Sequence, residues 1–398
     1  MAKWLDLEED EQPKVNAASC GKAITALAIA VLYDKGLLSP GSFLVDVLRK
    51  YFYDSGGNAL FSDGRYQSIT VEMLAAHGGG WDRVTKNTTD IAGHVLRSGG
   101  VDTLMYNDHH AANDLVKMFP NDYPSGITLP LQDKDLIKWI VSNPLEFTPG
   151  SKSIYSNIGY FFMATIVEEI SGMPYDQFVK KYLYDKLDVK IDTLMPSDFN
   201  SHDFNPRFKN KEVPYELNKN KGISAFAGEY RYDPATGLVN GMADSWPGLS
   251  PVNWKAAIHG YGTYNHRHGP GGLICTPGNF VKLLNIWDDT PEMNAIISKT
   301  TKDYIAGVSA KFPYAYGIVN QPALTLMTMS HGGYIHNASS NWIRYYDSAG
   351  MTGNANCASE VRVFVSAVGW GAAGLVDPSA GEGGWVDNVL TPAIQLVL

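Results

Sequence analysis

Residues 19–36 read SCGKAITALAIAVLYDKG, and the reading of this stretch decides the fold. From Ser19 to Tyr33 the residues are strong helix formers, apolar nearly all round, which is the pattern of a helix buried on every side. Gly36 stands where a C-terminal cap belongs. Ser19 opens this helix and Lys22 follows three residues later, a spacing no other serine of the chain shares. Positions i and i+3 share a helix face, so the ammonium can reach the hydroxyl. A serine hydroxyl is a poor nucleophile until a neighbouring base takes its proton, and a lysine does so when burial and nearby positive charge lower its pKa. The helix N-terminus adds partial positive charge that favours a developing alkoxide. A helix cap followed by a surface lysine has the same spacing, so the pair gains meaning only from the rest of the chain.

Two further segments supply it. Tyr155-Ser156-Asn157 is the only Tyr-x-Asn, preceded by Phe147-Thr148-Pro149-Gly150 and followed by an apolar helix. A phenol near the Lys22 ammonium could be kept as phenolate and act as general base, and the Asn157 amide could orient Lys22 and a substrate carbonyl. The bland alternative is a tyrosine in a turn before a helix. His331-Gly332-Gly333-Tyr334 comes just after the strand-like run Ala323 to Met329. Glycines such as Gly333 on an edge strand let a substrate backbone approach, and the Tyr334 N–H could pair with that of Ser19 as an oxyanion hole. Its bland alternative is a Gly-Gly turn with an incidental histidine.

Composition sets the bounds. With 398 residues, 44% of them hydrophobic, the chain can bury a large core as one big domain or two closely joined ones. A formal charge of −9 and the lack of any Lys/Arg cluster argue against a nucleic-acid partner. Cys20, Cys275 and Cys357 are an odd count at wide spacing, which fits a reducing compartment and offers neither a disulfide framework nor a CxxC zinc site. The acidic run Leu5 to Glu11 lacks the basic and apolar parts of a secretory signal, so a cytoplasmic location is expected. The longest apolar run, Ala23 to Leu32, is about half a membrane span, so no membrane-crossing helix is expected.

Along the chain, helical stretches are expected at Ile69 to Ala76, Ala111 to Met118, Asp133 to Val141, Ile158 to Ile170 and Tyr175 to Leu187. Asn200 to Asn253 reads as a long irregular excursion. Strand-like runs at Ala323 to Met329, Asn341 to Tyr346 and Val361 to Val368 precede a terminal helix from Trp385 to Val397. Gly369 to Gly374 matches a dinucleotide fingerprint on paper, but too little chain follows for a βαβ unit. His109-His110 and His266-Arg267-His268 lack ligand spacing and read as polar loop histidines, so no metal and no cofactor are expected. No Gly-x-Ser-x-Gly elbow is present.

Nucleophile motif, Tyr-x-Asn and a basic-residue-x-Gly triplet, in that order, resemble the three signatures of the serine β-lactamase and penicillin-binding-protein superfamily, among class C β-lactamases, D-Ala-D-Ala carboxypeptidases and family VIII esterases. Ile69 to Leu74 with His77 to Gly80, Gly159-Tyr160, Ser171 to Tyr175, Gly271 to Leu273 with Thr276-Pro277, and Tyr316-Gly317 resemble recurring family segments, over roughly residues 17 to 370 with gaps at 85–130 and 195–260. The resemblance implies Ser19 as acylated nucleophile, Lys22 as its partner, Tyr155 as general base, and the Ser19 and Tyr334 amides as oxyanion hole. His331 takes the place where many β-lactamases have lysine, which points away from a dedicated β-lactamase, because histidine is mostly neutral at pH 7. The family usually has a helix and two sheet strands before its nucleophile, whereas eighteen residues precede Ser19, so an open sheet edge or one completed by another subunit is expected.

The expected architecture is α/β (α+β), an antiparallel sheet flanked by helices plus a mostly helical lobe, β-lactamase/transpeptidase-like. Residues 1–35 and 255–398 would form the sheet-containing lobe and 36–254 the helical lobe. The expected activity is hydrolysis of a small-molecule ester or amide through a Ser19 acyl-enzyme. Tyr230, Tyr232, Trp246, Trp254, Tyr261 and Tyr264 would line the acyl pocket. The alternatives are an acyltransferase of the same fold and a non-catalytic binding relative.

Overall fold

A computed structural model describes residues 14–82, 133–193, 268–323, 326–335 and 338–346, with strand segments at 88–89, 95–97, 230–233, 238–241 and 362–368. Ala111 to Met118, His109-His110, Gly369 to Gly374, the terminal helix from Trp385 and the pocket candidates Trp246, Trp254, Tyr261 and Tyr264 lie outside the described residues.

Helix α1 (Lys22–Asp34) is the axis of the molecule, with every residue from Lys22 to Leu32 buried. It ends as its sequence demands. Gly36 adopts φ +66, and the Leu37 N–H reaches back to the Leu32 carbonyl at 3.1 Å. The helix begins later than the apolar pattern suggests. Ala18–Gly21 form a 3-10 turn, Ala18 is left-handed at φ +45, and Ser19 sits in this tight turn, directly before α1.

Helix α4 (Asn157–Ser171) packs against both α1 and α2 (Val71–Ala75), and α3 (Asp133–Ser142) packs on the short helical turn Arg49–Phe52. Thr70 caps α2 by accepting the Met73 N–H at 3.3 Å. In α3 an acidic first turn, Asp133 and Asp135, precedes the buried face of Leu136, Ile137, Ile140 and Val141. Helix α4 buries Ile158 to Val167 and stops at Gly172, left-handed at φ +66. The stretch after Pro174 is less regular than the single amphipathic helix its pattern suggests: α5 (Tyr175–Val179) runs into a π-helical turn and a short helical tail. Phe52, Phe61, Tyr66, Trp81 and Phe162 form an aromatic cluster beneath α4, with Trp81 stacked on Phe162 at 5.6 Å between centroids.

Three short strands, β1 (Val15–Asn16), β2 (Asp192–Thr193) and β3 (Leu273–Cys275), form a small antiparallel sheet with β3 central. The larger sheet holds β4 (Val319–Ala323), β5 (Leu326–Ile335), β6 (Ala338–Tyr346) and β7 (Arg362–Val368) in the order β7-β6-β5-β4, all antiparallel. Pro322 falls in the outer strand β4, where a missing ladder donor is tolerated. His331-Gly332-Gly333-Tyr334 lies inside β5 rather than after a strand, because the ladder with β6 continues unbroken from Met327 to Ile335. One side of the sheet meets α6 (Pro277–Leu283), which packs on β7, and there buried Arg344 donates to the Leu284 carbonyl and pairs with Asp288, both at 3.0 Å. Strand β5 packs against the 3-10 turn that carries Ser19. Helix α7 (Lys299–Ser309) closes the far side of α1, its cap residue Ser298 donating its hydroxyl to Asp34 at 2.6 Å. Among the described residues, no helix is long and apolar enough to cross a membrane.

Candidate active site

The N-terminal end of α1 gathers the residues that the sequence singles out. Lys22 is fully buried and its Nζ donates to Ser19 Oγ at 3.1 Å, Asn157 Oδ1 at 2.6 Å and the Pro270 carbonyl at 3.0 Å. An ammonium has three N–H donors, and these three acceptors match them. Asn157 reaches Lys22 as the first residue of α4. Gly269-Pro270-Gly271 reaches it by running along the turn at Ala18, where a Cβ on Gly271 would stand 3.0 Å from the Ala18 carbonyl. Thr25, one turn further along α1, donates its hydroxyl to the Gly269 carbonyl and shares a 2.7 Å hydrogen bond with the Tyr175 hydroxyl.

Tyr155 presents its ring to the ammonium, with Lys22 Nζ 4.7 Å from the ring centroid. A cation over a ring face is held by the ring quadrupole, and more strongly where water is excluded. Tyr155 is itself fixed by aromatic neighbours: His77 stacks on it at 4.6 Å, Tyr314 meets it edge-on at 5.4 Å and His331 lies 5.9 Å away between centroids. His77 is buried, left-handed at φ +58, and its Nδ1 accepts the Ser156 N–H at 2.9 Å. The residue between Tyr155 and Asn157 is thereby anchored. The sequence signal for His77 was its place in the His-Gly-Gly-Gly segment. Tyr314 had none beyond the density of aromatics around Tyr316.

His331 is buried, and its Nδ1–H donates to the Gly332 carbonyl at 2.6 Å. Burial, with the Lys22 charge acting in the same direction, pushes its pKa down to about 3. A neutral imidazole therefore occupies this position, as the sequence suggests. Its carbonyl accepts the Cys20 thiol at 3.1 Å, which pins β5 to the Ser19 turn. Pairing of β5 with β4 ends at Ser330 opposite Val319, so 331–335 run past the start of β4 while staying paired with β6. Gly333 and Tyr334 lie on this protruding end of the strand. Next to it, Gly317 turns at φ +67 and its N–H donates to the Tyr160 hydroxyl at 2.5 Å. His268, read from sequence as a polar loop histidine, is instead 3% exposed and packs beside Tyr175.

An antiparallel sheet backed by helices, with a serine and a lysine at the head of one central helix between sheet and helical layer, defines the β-lactamase/transpeptidase-like fold. The Beta-lactamase family model matches residues 10–345, and the chain belongs to that family. Over 110 residues it is 34% identical to a Salmonella schwarzengrund (strain CVM19633) protein provisionally named as a D-alanyl-D-alanine carboxypeptidase, covering 27% of this chain and 25% of the relative. The chain thus spans about a quarter of the length of the curated relatives it matches. Among solved structures it resembles a D-amino acid amidase from Ochrobactrum anthropi SV3 (TM-score 0.57, 13% identity, 97% of this chain and 85% of the other). It also resembles a D-stereospecific amidohydrolase from Streptomyces sp. (TM-score 0.51, 14% identity, 91% and 84%). A penicillin binding protein from Bacillus halodurans gives a TM-score of 0.50 at 14% identity, covering 97% and 86%. These structural likenesses establish the fold.

Proposed function

We propose that this chain is a serine hydrolase that cleaves a small-molecule ester or amide through an acyl-enzyme on Ser19, esterase-like or peptidase-like rather than a dedicated β-lactamase. The observation that carries the reading is the buried Lys22 ammonium directed at Ser19 Oγ. With its three N–H groups matched to three acceptors, Lys22 serves as a fixed cation that lowers the cost of an alkoxide. Tyr155, kept as the phenolate by that cation, takes the proton from Ser19. Oγ attacks the carbonyl carbon, and the carbonyl oxygen gathers negative charge facing the N–H groups of Ser19 and Tyr334. The bond to the leaving alcohol or amine then breaks, the proton passing from Tyr155 to the departing atom. Water, deprotonated by Tyr155, attacks the acyl ester and releases the acid, and Ser19 regains its proton.

The protruding end of β5 supports substrate alignment, since an unpaired strand edge offers main-chain donors and acceptors to an extended ligand. Neutral His331 supports an ester or amide without the fixed carboxylate that a lysine there would attract. The curated relatives are named for a carboxypeptidase and two of the solved structures are named as an amidase and an amidohydrolase, so D-amino acid amides belong beside esters in the substrate panel.

The test is burst and steady-state hydrolysis of a short-chain nitrophenyl ester, a D-phenylalanine amide and a chromogenic cephalosporin by the protein and by Ser19→Ala. Turnover of ester or amide that disappears in Ser19→Ala supports the proposal, and preferential cephalosporin turnover moves it to the lactamase side. Absence of any Ser19-dependent signal overturns it in favour of a non-catalytic binding protein.

A further inference from the structure

His268 stands two residues before Pro270, whose carbonyl holds Lys22, and takes no part in the chemistry above. Its ring is 3% exposed, and neither Nδ1 nor Nε2 has a hydrogen-bond partner among the described residues. A buried imidazole with both nitrogens unsatisfied is costly, and such groups need a partner of some kind. Two carboxylates converge on it from different elements. Asp133 is the first residue of α3 and Glu168 lies in the last turn of α4, and one ligand atom from each of the three residues lies within 4.8 Å of the others.

We propose that Asp133, Glu168 and His268 form a binding site for a divalent cation of the zinc class. Binding through two carboxylates and one imidazole nitrogen would bring two negative charges to the ion, which a divalent cation neutralises. Ligand bonds of about 2.0–2.2 Å around a tetrahedral ion place ligand atoms roughly 3.3 Å apart. Side-chain adjustments of about an ångström close the cluster to that spacing. The imidazole decides the class of ion, because calcium and magnesium favour oxygen-only shells whereas zinc accepts nitrogen readily. Glu168 already has the outer support expected of a ligand: its Oε1 accepts the Tyr175 N–H at 2.8 Å, leaving the second oxygen for the ion. The Tyr175 and Phe161 rings wall the histidine at centroid distances of 5.5 and 6.3 Å. Water completes the shell on the partly exposed side of Asp133.

Such an ion ties the start of α3, the end of α4 and the 268–271 segment into one unit. That segment supplies the carbonyls for Lys22 and Thr25, so the ion acts as a clamp behind the lysine.

The test uses the full chain, stripped with a chelator and dialysed, then titrated calorimetrically with Zn2+ and spectroscopically with Co2+. The expected result is one Zn2+ per chain, a Co2+ ligand-field band from an oxygen and nitrogen shell, and a melting temperature several degrees higher with saturating Zn2+. Asp133→Asn, at a partly exposed position, and Glu168→Gln should each weaken Zn2+ binding by at least about tenfold and abolish the thermal shift. No saturable binding to the stripped chain, or binding unchanged in both variants, would overturn the proposal.

Discussion

Gly317 crosses Lys22 so closely that a Cβ added to the glycine would stand 2.5 Å from the Lys22 carbonyl carbon, at a backbone φ of +67 that side chains rarely adopt. Gly317→Ala must therefore displace the first turn of α1 or unwind the 315–318 turn. Left-handed strain and overpacking together cost about 2–4 kcal/mol. The expected outcome is a lower melting temperature and a weaker ester burst, read by thermal unfolding and stopped-flow absorbance. A variant that melts and reacts like the parent would show that this contact is slack.

Asn157→Ala removes the 2.6 Å acceptor from a buried ammonium. A hydrogen bond to a charged group contributes about 1.5–3 kcal/mol, so kcat should fall roughly 10- to 100-fold. KM should change much less if Asn157 acts through Lys22. Steady-state kinetics separate the two, and a loss confined to KM would assign Asn157 to the substrate.

The depressed pKa of His331 makes a pH prediction. The unfolded chain takes up this proton near pH 6.5, the folded chain only near about 3. The stability gained from the neutral ring is therefore whole above about pH 6.5 and is lost progressively as pH falls toward 3. His331→Gln lacks this linkage. Between pH 6.5 and 4 the melting temperature of the parent should fall more steeply than that of the variant, with parallel behaviour above pH 7. Equal slopes in acid would refute the burial of an uncharged ring.

His77 combines φ +58 with an acceptor for the Ser156 N–H. Asparagine tolerates the left-handed region and carries an oxygen close to where Nδ1 sits, whereas alanine does neither. His77→Asn should keep more stability and ester turnover than His77→Ala, which strands a buried donor at a cost of about 1–3 kcal/mol. If the two variants lose the same amount, stacking on Tyr155 is the whole of the histidine's role.

Much of this arrangement is legible in the chain itself, for local reasons. Helix α1 shows because it is apolar on all faces, α4 because Gly172 stops it, and β6 and β7 because they alternate β-formers over a sufficient length. Ser19, Lys22, Tyr155 and Asn157 show because their spacings are short. What is hidden depends on long-range contact. The 3-10 start at Ala18 follows from the close passage of Gly271, about 250 residues away, which no local propensity reports. His268 reads as a loop residue because its carboxylate neighbours come from α3 and α4. The His331 triplet reads as edge strand just after Met329, with a Gly-Gly turn as the bland alternative, and only the register against β6 shows that one strand runs unbroken through it.

Helix α1 has one more consequence, for the order in which the molecule assembles. Its apolar surface faces α4, α7 and the 268–271 segment, so the helix gains its partners only when residues up to about three hundred positions away are in place. Lys22 meets Asn157 across 135 positions and Pro270 across 248, separations of the kind that slow folding because long loops must close before the contacts form. A fragment ending before β5 holds Ser19 and Lys22 yet lacks the strand beside them. If Ser19 is the nucleophile proposed above, its reactivity should track completed folding, since its surroundings are drawn from segments far apart in the chain.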